Sequence, residues 1–455
     1  MSTERVLHVR GKVVHAPIRG QIEILPDAFM AIDAVTGRIT TFHAQTLPAD
    51  VGVLAHSPRS LQLTSSQFII PGFVDTHVHA PQYQYTGTGT DTPLMQWLTK
   101  YTFPVEEAFA DVAVAQHWYS KLLDRMLAEG ITTAQYFATI HVDATKTLVD
   151  LVAARGQRGL VGLVAMDQNA PDSYRSPSAA ASLADAEAFI QYTRSLQNEL
   201  VLPVLTPRFV PTCSLELLRG LGELAAKYDV HVQSHIAESH DEEAFVEQLH
   251  PGRRDTEIFA HAKLLTNKAC MAHAVHLQDA EMDVLAAAGT SIAHCPLSNF
   301  FFANGFLDVE KAVRKRVNVG LGTDMAGGYS PSMLRAIQTC VLTFKAREIV
   351  HQQAVPLDYK DAFWLATMGG ATALELQHDT GSFAVGKCLD AIVVDMAASG
   401  HPGDLPTVDF ADRDTDLDQF QKFIHNGDSR NFQKVLVKGR IVHERTVDPP
   451  TAGSM

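Results

Sequence analysis

Between residues 68 and 324, short apolar runs alternate eight times with longer amphipathic segments, and this rhythm limits the fold more than any other feature. The alternation needs parallel strands joined by crossover helices, and eight such units predict a closed (β/α)8 barrel of the TIM type. An open doubly wound sheet is the alternative, but no G-x-G-x-x-G follows a strand, and Gly87-Thr88-Gly89 lies in a predicted loop. The runs are FIIPGFVDTHVH (68–79), ITTAQYF (131–137), GLVGLVAMD (159–167), LVLPVLTPRF (200–209), VHVQSH (230–235), ACMAH (269–273), SIAHCP (291–296) and VNVGLGTD (317–324).

The two ends of the chain show a different pattern, of short strands separated by turn residues. VLHVRGKVVHAP predicts a hairpin that turns at Arg-Gly-Lys, and AFMAIDAVTGRITTFHA predicts another around Thr36-Gly37. Near the C-terminus, LDAIVVDM predicts a strand and FQKVLVKGRIVHE a third hairpin. We therefore expect an α/β protein in which residues 1–67 and 379–455 form a small β-sandwich domain beside a barrel of residues 68–378.

Charge and cysteine content argue against several classes of function. The chain of 455 residues carries a formal net charge of −14, so it lacks the clustered positive charge that nucleic acids and anionic membranes attract, and we expect neither as a partner. No apolar run reaches the ~20 residues of a membrane span. The five cysteines are widely spaced, with no C-x-x-C pair, which is typical of a reducing compartment. We expect a cytoplasmic protein.

Polar residues follow the predicted strands at one end. The first strand ends in His77 and His79, and the fifth ends in His235 with Glu238 close behind it. Four further strand ends carry Arg208, His273, His294 and Asp324. Because the catalytic groups of a barrel lie at the C-terminal ends of its strands, we expect these side chains to meet at one mouth.

His77 and His79 are two positions apart on a strand, so their side chains face the same way and can reach one ion. With His235 and Asp324 they give a set of nitrogen and oxygen ligands that suits zinc, with iron, manganese or cobalt as alternatives. Taken singly, any one of the 21 histidines is more often a structural or surface residue than a metal ligand. A pair that ends a buried strand, completed by residues of other strands, favours a metal site.

Several motifs carry a resemblance to a known family. PGFVDTHVH, SHIAES, MAHAVHL, AHCPLSN and VGLGTD resemble the metal-site motifs of the amidohydrolase superfamily. More narrowly, DTHVHAPQYQYTGTG, PLMQWLTKYTFPVEEAF, TPRFVPTCS and GLGTDMAGGYSPSML are similar to the guanine deaminases within it, and this resemblance covers nearly all of residues 70–345. It implies one Zn²⁺ per subunit, held by His77, His79, His235 and Asp324, and the hydrolysis of guanine to xanthine and ammonia.

The same resemblance implies catalytic roles for three residues. Glu238 would carry protons to a ring nitrogen of the substrate and then to the leaving ammonia. Asp324 would accept a proton from the attacking water in addition to binding the metal, and His273 would hydrogen-bond the water or the substrate rather than bind the metal firmly. A shuttle carboxylate needs a raised pKa, which burial supplies. Taken alone, Glu238 could equally be a solvated acid at the start of a helix.

Substrate binding is expected from a group of side chains at the same mouth: Gln82, Arg208, Phe209, His235, Glu238 and Asp324. The fork of Arg208 matches O6 and N7 of guanine, Gln82 can donate and accept, and Phe209 can stack on the purine ring. The segment 84–103, with Trp97, is expected to cover the site.

Other functions stay open from the residues alone. Another aminohydrolase of the same superfamily would act on a different heteroaromatic base or nucleoside, although Arg208 with Gln82 favours an acceptor-rich edge over an adenine amine. A metal-free scaffold is disfavoured because every ligand position and Glu238 are present. A cysteine-ligated deaminase of nucleic acids is excluded by the lack of C-x-x-C. We expect a homodimer, from the resemblance and from the prevalence of twofold homo-oligomers.

Overall fold

The computed structural model describes residues 5–399 and 405–446, in which the strands form two sheets. The strands are β1 (Val6–His15), β2 (Glu23–Asp33), β3 (Ile39–His43), β4 (Ser60–Gln62), β5 (Gln67–Pro71), β6 (Phe73–His79), β7 (Ile131–Phe137), β8 (Arg158–Ala165), β9 (Val201–Pro207), β10 (His231–Ile236), β11 (Ala269–His273), β12 (Ser291–His294), β13 (Val319–Leu321), β14 (Ala391–Asp395), β15 (Phe432–Val437) and β16 (Arg440–Glu444).

The helices lie mostly between the strands of the middle region. They are α1 (Pro48–Ala55), α2 (Leu94–Trp97), α3 (Phe103–Glu107), α4 (Val112–Ala128), α5 (Val142–Arg155), α6 (Ala179–Ser195), α7 (Leu215–Tyr228), α8 (His240–Leu249), α9 (Asp255–His261), α10 (Asp279–Ala288), α11 (Pro296–Ser298), α12 (Val309–Arg314), α13 (Met333–His351), α14 (Tyr359–Trp364), α15 (Gly370–Ala373) and α16 (Asp416–Asn426). Among the described residues, no helix is both long and apolar enough to cross a membrane.

Strands β6 to β13 form a parallel sheet in which each strand pairs with the next one along the chain. The first and last strands are joined by hydrogen bonds that close the sheet into a barrel. The amide of Asp324 donates to the carbonyl of His77 at 2.9 Å, and the carboxylate of Asp75 accepts from the amide and hydroxyl of Thr323 at 3.0 and 2.6 Å. The predicted (β/α)8 barrel is confirmed, and its closure brings the ends of β6 and β13 side by side.

The outer helices begin where polar side chains cap them. The side chains of Asp111, Ser178 and Ser214 accept hydrogen bonds from amides in the first turns of α4, α6 and α7, which satisfies donors that have no partner inside the helix. Each helix turns apolar residues inward, such as Leu122 of α4 and Leu148 of α5, both fully buried. The helices therefore cover the sides of the barrel and leave the strand ends to form the site.

The second sheet is built from both chain ends, as the sequence predicts. Its strand order is β16-β15-β14-β5-β1-β2-β3, with β4 paired to β1. Strand β5 joins the two ends because it pairs parallel with β1 and antiparallel with β14. Residues of both ends, among them Val9, Ile69, Val393 and Leu436, share a buried core of their own. The small β domain is therefore one continuous mixed sheet with a separate apolar core.

The first apolar run, predicted as a single barrel strand, is divided between the two sheets. Its first part is β5 of the mixed sheet and its second part is β6 of the barrel. The division falls at Gly72, where the amide donates to Asp390 O at 3.0 Å and where a Cβ would lie 2.1 Å from Thr132 Oγ1. Glycine permits this close approach to β7, so the Pro-Gly pair passes the chain from one sheet to the other.

The hairpin predicted for VLHVRGKVVHAP is wrong. Val6–His15 is one strand that pairs antiparallel with β2 along its length. The pairing register shifts between Gly11 and Val13, and Gly11 has a φ of 143°, so the glycine permits an irregularity in the strand where a turn was expected. The other two predicted hairpins are present as β2–β3 and β15–β16.

Candidate active site

Five polar side chains that end or follow barrel strands lie together at one end of the barrel. His77 and His79 are on β6, His235 on β10 and His273 on β11, and Asp324 follows β13; all five are buried. His273 and Asp324 have positive φ angles of 73° and 45°. This left-handed conformation costs a residue other than glycine about 1–3 kcal/mol and is concentrated at functional sites.

The donor atoms of these residues converge on a small space. His77 Nε2 lies 3.2 Å from Asp324 Oδ1, and His79 Nε2 lies 3.5 Å from the same oxygen. The Nε2 atoms of His79 and His235 are 3.1 Å apart. Two overlapping sets have ligand atoms within 4.8 Å of one another, which is close enough to share a metal ion: His77, His79 and His235, and His77, His273 and Asp324.

The imidazoles are in the protonation state that binds a metal. Burial lowers the pKa values of His77, His79 and His235 well below the usual value, so all three are neutral. Nδ1 of His235 donates to the carbonyl of Arg208 at 2.6 Å, which leaves the lone pair on Nε2.

Three nitrogen atoms in the same cluster are buried without a hydrogen-bond partner among the described residues. They are Nε2 of His77, Nδ1 of His79 and Nε2 of His273. A buried polar atom without a partner costs about 1–3 kcal/mol, and a metal ion at Nε2 of His77 would remove that cost for one of the three. The residues present therefore fit a metal ion, and their nitrogen and oxygen donors suit zinc.

Glu238 and His273 lie beside Asp324 on the wall of the site. His273 Nε2 is 3.6 Å from Glu238 Oε1 and 3.8 Å from Asp324 Oδ2. The ring of His273 is held from behind, because its Nδ1 donates to Asn299 Oδ1 at 2.9 Å. Burial, assisted by the charge of Asp324, raises the pKa of Glu238 well above its usual value. The protonated form of Glu238 is thereby favoured, and it can donate a proton to a bound molecule.

Gln82 and Arg208 share a partner that the sequence analysis missed. Glu106, which is fully buried, accepts from Gln82 Nε2 at 2.8 Å and from Arg208 Nη1 at 2.6 Å. The oxygen of the Gln82 amide accepts from the amide of Ala326 at 3.3 Å. In the sequence Glu106 belongs to FPVEEAF, where an acid is expected on the solvent face of a helix, and no local pattern separates it from Glu107.

A cavity of about 440 Å³, its open mouth included, lies over these side chains. Trp97 covers one side, with its ring 4.8 Å from that of Phe302, and both residues line the cavity. The lining includes all six residues that the sequence analysis assigns to the substrate: Gln82, Arg208, Phe209, His235, Glu238 and Asp324.

Other histidines lie outside this arrangement. His294 is buried behind His273, and its Nδ1 is 3.4 Å from the side-chain nitrogen of Asn299; burial lowers the pKa of His294 to about 3. A partly exposed group, formed by His240, Glu243 and His276, also has ligand atoms close enough to share an ion. Glu243, however, is already paired with Arg254 at 2.6 Å.

The sequence is similar to known proteins along nearly its whole length. Residues 68–442 match the model of the amidohydrolase family. A guanine deaminase of Dictyostelium discoideum is 39% identical over 440 residues, which cover 94% of this chain and 96% of that protein. A guanine deaminase of Homo sapiens is 39% identical over 436 residues, which cover 95% of this chain and 96% of that protein.

The structure is similar to that of a guanine deaminase from C. acetobutylicum, which was solved with guanine bound in its active site. The TM-score is 0.87 at 31% sequence identity, and the similarity covers 96% of this chain and 100% of that chain. It therefore includes the barrel and the mixed sheet together.

Proposed function

The chain belongs to the amidohydrolase family, and from this premise we propose that it is a guanine deaminase, which hydrolyses guanine to xanthine and ammonia. One observation carries the proposal: the cluster of neutral imidazoles and carboxylates opens into the same cavity as the buried donors of Arg208 and Gln82. Relatives at 39% identity over nearly the whole chain are guanine deaminases. The protein is accordingly a hydrolase of carbon–nitrogen bonds in cyclic amidines.

We assign one zinc ion per subunit to His77, His79, His235 and Asp324. The assignment is supported by the convergence of their donor atoms and by the unpartnered Nε2 of His77. When bound, zinc would lower the pKa of a water molecule toward ~7 and so supply a nucleophile at neutral pH. His273 keeps its proposed role as a hydrogen-bond partner of the water or the substrate, because Asn299 fixes the orientation of its ring.

Two carboxylates would move the protons. Burial raises the pKa of Asp324, which makes it a better acceptor for a proton of the attacking water. Protonated Glu238 would donate to the ring nitrogen next to C2 of guanine while water attacks C2. Glu238, now ionised, would take up the proton that Asp324 accepted and deliver it to the amino group, which leaves as ammonia. The remaining proton of the added hydroxyl would pass to Glu238 as the carbonyl at C2 forms, so that Glu238 is protonated and Asp324 is ionised again at the end.

The wall of the cavity would hold and shield the base. Arg208 and Gln82 retain donors that match O6 and N7 of guanine, and Phe209, which lines the cavity, offers a ring for stacking. Trp97, in the segment that follows β6, is 3% exposed, and its indole nitrogen donates to Thr88 O at 3.1 Å. Held in this way, Trp97 would exclude bulk water from the reaction.

We also propose a cytoplasmic homodimer. The five cysteines are all free and buried, as is usual for proteins of a reducing compartment. The dimer is proposed from the prevalence of twofold homo-oligomers. Sedimentation of the purified protein at twice the subunit mass would support it, and a monomer at micromolar concentration would contradict it.

The activity is tested by ammonia release from guanine, with adenine, cytosine and adenosine measured in parallel. Release from guanine alone, abolished by a chelator and restored by zinc, supports the proposal. Release from another base but not from guanine would keep the metal site and overturn the assignment of Arg208 and Gln82. No release from any of the four by zinc-loaded protein would refute a deaminase of these bases.

A further inference from the structure

Glu106 is a fully buried carboxylate whose two oxygens accept four hydrogen bonds. Arg208 donates twice, from Nη1 at 2.6 Å and from Nη2 at 3.3 Å, one to each oxygen. Gln82 Nε2 donates at 2.8 Å, and the hydroxyl of Tyr174 donates at 2.7 Å. The three donor residues follow β6, β8 and β9, so one carboxylate ties together segments from three separate strands of the barrel.

The first consequence concerns charge. Arg208 is 2% exposed; burial opposes its positive charge, but the charge and hydrogen bonds of Glu106, together with nearby phenols, outweigh burial and raise the pKa of Arg208. The guanidinium and the carboxylate neutralise each other. The cavity wall therefore offers a ligand the N–H donors of Arg208, while the Arg208–Glu106 pair as a whole carries no net charge.

The second consequence concerns orientation. A carboxylate only accepts hydrogen bonds, so Glu106 requires Nε2 of Gln82 to face it. The oxygen of the Gln82 amide is thereby placed against the amide of Ala326, 3.3 Å away. One N–H and one lone pair of Gln82 are left for a ligand. The bidentate contact likewise fixes the plane of the Arg208 fork, and the ring of Phe103 lies 5.3 Å from the guanidinium carbon.

We propose that Glu106 is a positioning residue that aligns Arg208 and Gln82 to recognise an uncharged purine base, and that it sets a preference for neutral guanine over anionic bases. The inference rests on the proposed guanine deaminase function. The reaction itself supplies a relevant anion, because xanthine loses a proton in mildly alkaline solution whereas guanine stays neutral there. A wall without net charge gives that anion no extra attraction.

The test is Glu106→Gln, which keeps the size of the side chain and removes its charge. An N–H then faces the donors of Arg208, so the fork loses its bidentate partner and regains a free positive charge. We expect the KM for guanine to rise roughly 10- to 100-fold and kcat to fall far less, because Glu238 is untouched. The inhibition constant of the xanthine anion, measured at alkaline pH, should become tighter relative to the KM for guanine by about 10-fold.

Two further variants separate positioning from mere support of the fold. Glu107→Gln removes the same charge from the neighbouring position of α3 and should leave the KM for guanine at the wild-type value. Tyr174→Phe removes one hydrogen bond from Glu106 but leaves the charge of the pair intact. It should raise the KM for guanine about 2- to 5-fold. The ratio of the inhibition constant of the xanthine anion to the KM for guanine should stay unchanged.

The outcomes are distinguishable. A zinc-loaded Glu106→Gln protein with the wild-type KM for guanine overturns the inference. So does a protein in which the KM for guanine and the inhibition constant of the xanthine anion rise by the same factor, because an equal loss would reflect structural damage. If Glu106→Gln does not fold, Tyr174→Phe decides, and an unchanged KM overturns the inference. If the wild-type protein releases no ammonia from guanine, the proposed function is refuted, and the preference for neutral guanine is refuted with it. If the wild-type protein is active and Glu106→Gln has the same KM for guanine, this inference alone is refuted.

Discussion

Replacing Glu238 by glutamine separates proton transfer from metal binding and from the fold. Glutamine has nearly the same volume and can still hydrogen-bond, but it cannot release or take up a proton at neutral pH. The main chain at this position is held independently of the side chain, because the amide of Glu238 donates to Glu242 Oε2 at 2.6 Å. Glu238 is absent from the groups of described residues that could share a metal ion around His77. We therefore expect Glu238→Gln to fold and to bind zinc as the wild type does.

The magnitude follows from the role of one group in two proton transfers. Positioned general acid–base catalysis typically contributes about 10²- to 10⁴-fold to a rate, which is about 3–5 kcal/mol of barrier. We expect kcat to fall by about 10³-fold or more, since Glu238 would serve both the ring nitrogen and the leaving amine. The KM should change little, because the amide keeps the volume and polarity of the cavity wall.

The pH dependence has a definite sign. Burial and the charge of Asp324 raise the pKa of Glu238, so the proton-donating form persists at neutral pH and is lost as the pH rises through that raised pKa. The wild-type kcat/KM should therefore fall on the alkaline side. The residual activity of Glu238→Gln should lack this alkaline decrease, because glutamine does not titrate.

The assay is ammonia release from guanine by proteins whose zinc content has been measured by elemental analysis. Asp241→Asn is the matched control, since it removes an exposed acid three residues away and should leave kcat unchanged. A Glu238→Gln protein with full zinc and more than half of the wild-type kcat would refute the shuttle, and an unaltered alkaline decrease would show that another group titrates.

Three further substitutions test other parts of the site and fold. Asp324→Ala removes a proposed ligand and should weaken zinc binding by at least about 100-fold in competition with a chelator; wild-type affinity would place the ion elsewhere. Trp97→Ala should raise the KM for guanine about 10-fold at unchanged zinc content, and identical steady-state kinetics would remove its covering role. Arg158→Ala leaves Asp390, its partner at 3.0 Å, charged and buried, so the free energy of unfolding in urea should fall by about 3–5 kcal/mol; a loss under about 1 kcal/mol would mean that the pair is not needed.

The residues at the strand ends could be predicted because two simple rules combine there. Side chains two positions apart on a strand face the same way, which pairs His77 with His79. The C-terminal ends of barrel strands share one mouth, which adds His235 and Asp324 from distant parts of the sequence. Neither rule depends on the exact bounds of a strand, so both hold although those bounds were unknown.

The division of the chain between its two sheets was harder to predict for a physical reason. An apolar run is compatible with any sheet that buries it, and the partner of a strand is set by long-range pairing. Residues 68–71 pair with β1 and β14, although in the sequence their apolar run continues without a break into the residues of β6. In the same way, Gly11 favours either a turn or an irregular strand, and β2 decides between them by pairing with both halves of β1.

The sequence indicates that Arg208 needs a carboxylate partner, but it does not indicate that this partner is Glu106. A guanidinium buried without compensation costs several kcal/mol, so burying Arg208 in the wall of the cavity already demands a carboxylate near it. The sequence supplies 51 acidic residues, and the one that serves is 102 positions away, in a segment whose pattern indicates a solvated helix face. The pairing of β6, β7, β8 and β9 in the folded barrel brings residues 82, 106, 174 and 208 to one point. Donors such as Arg208 and Gln82 can thus be predicted because they follow barrel strands. Glu106, the acceptor that orients them, can be identified only in the folded structure.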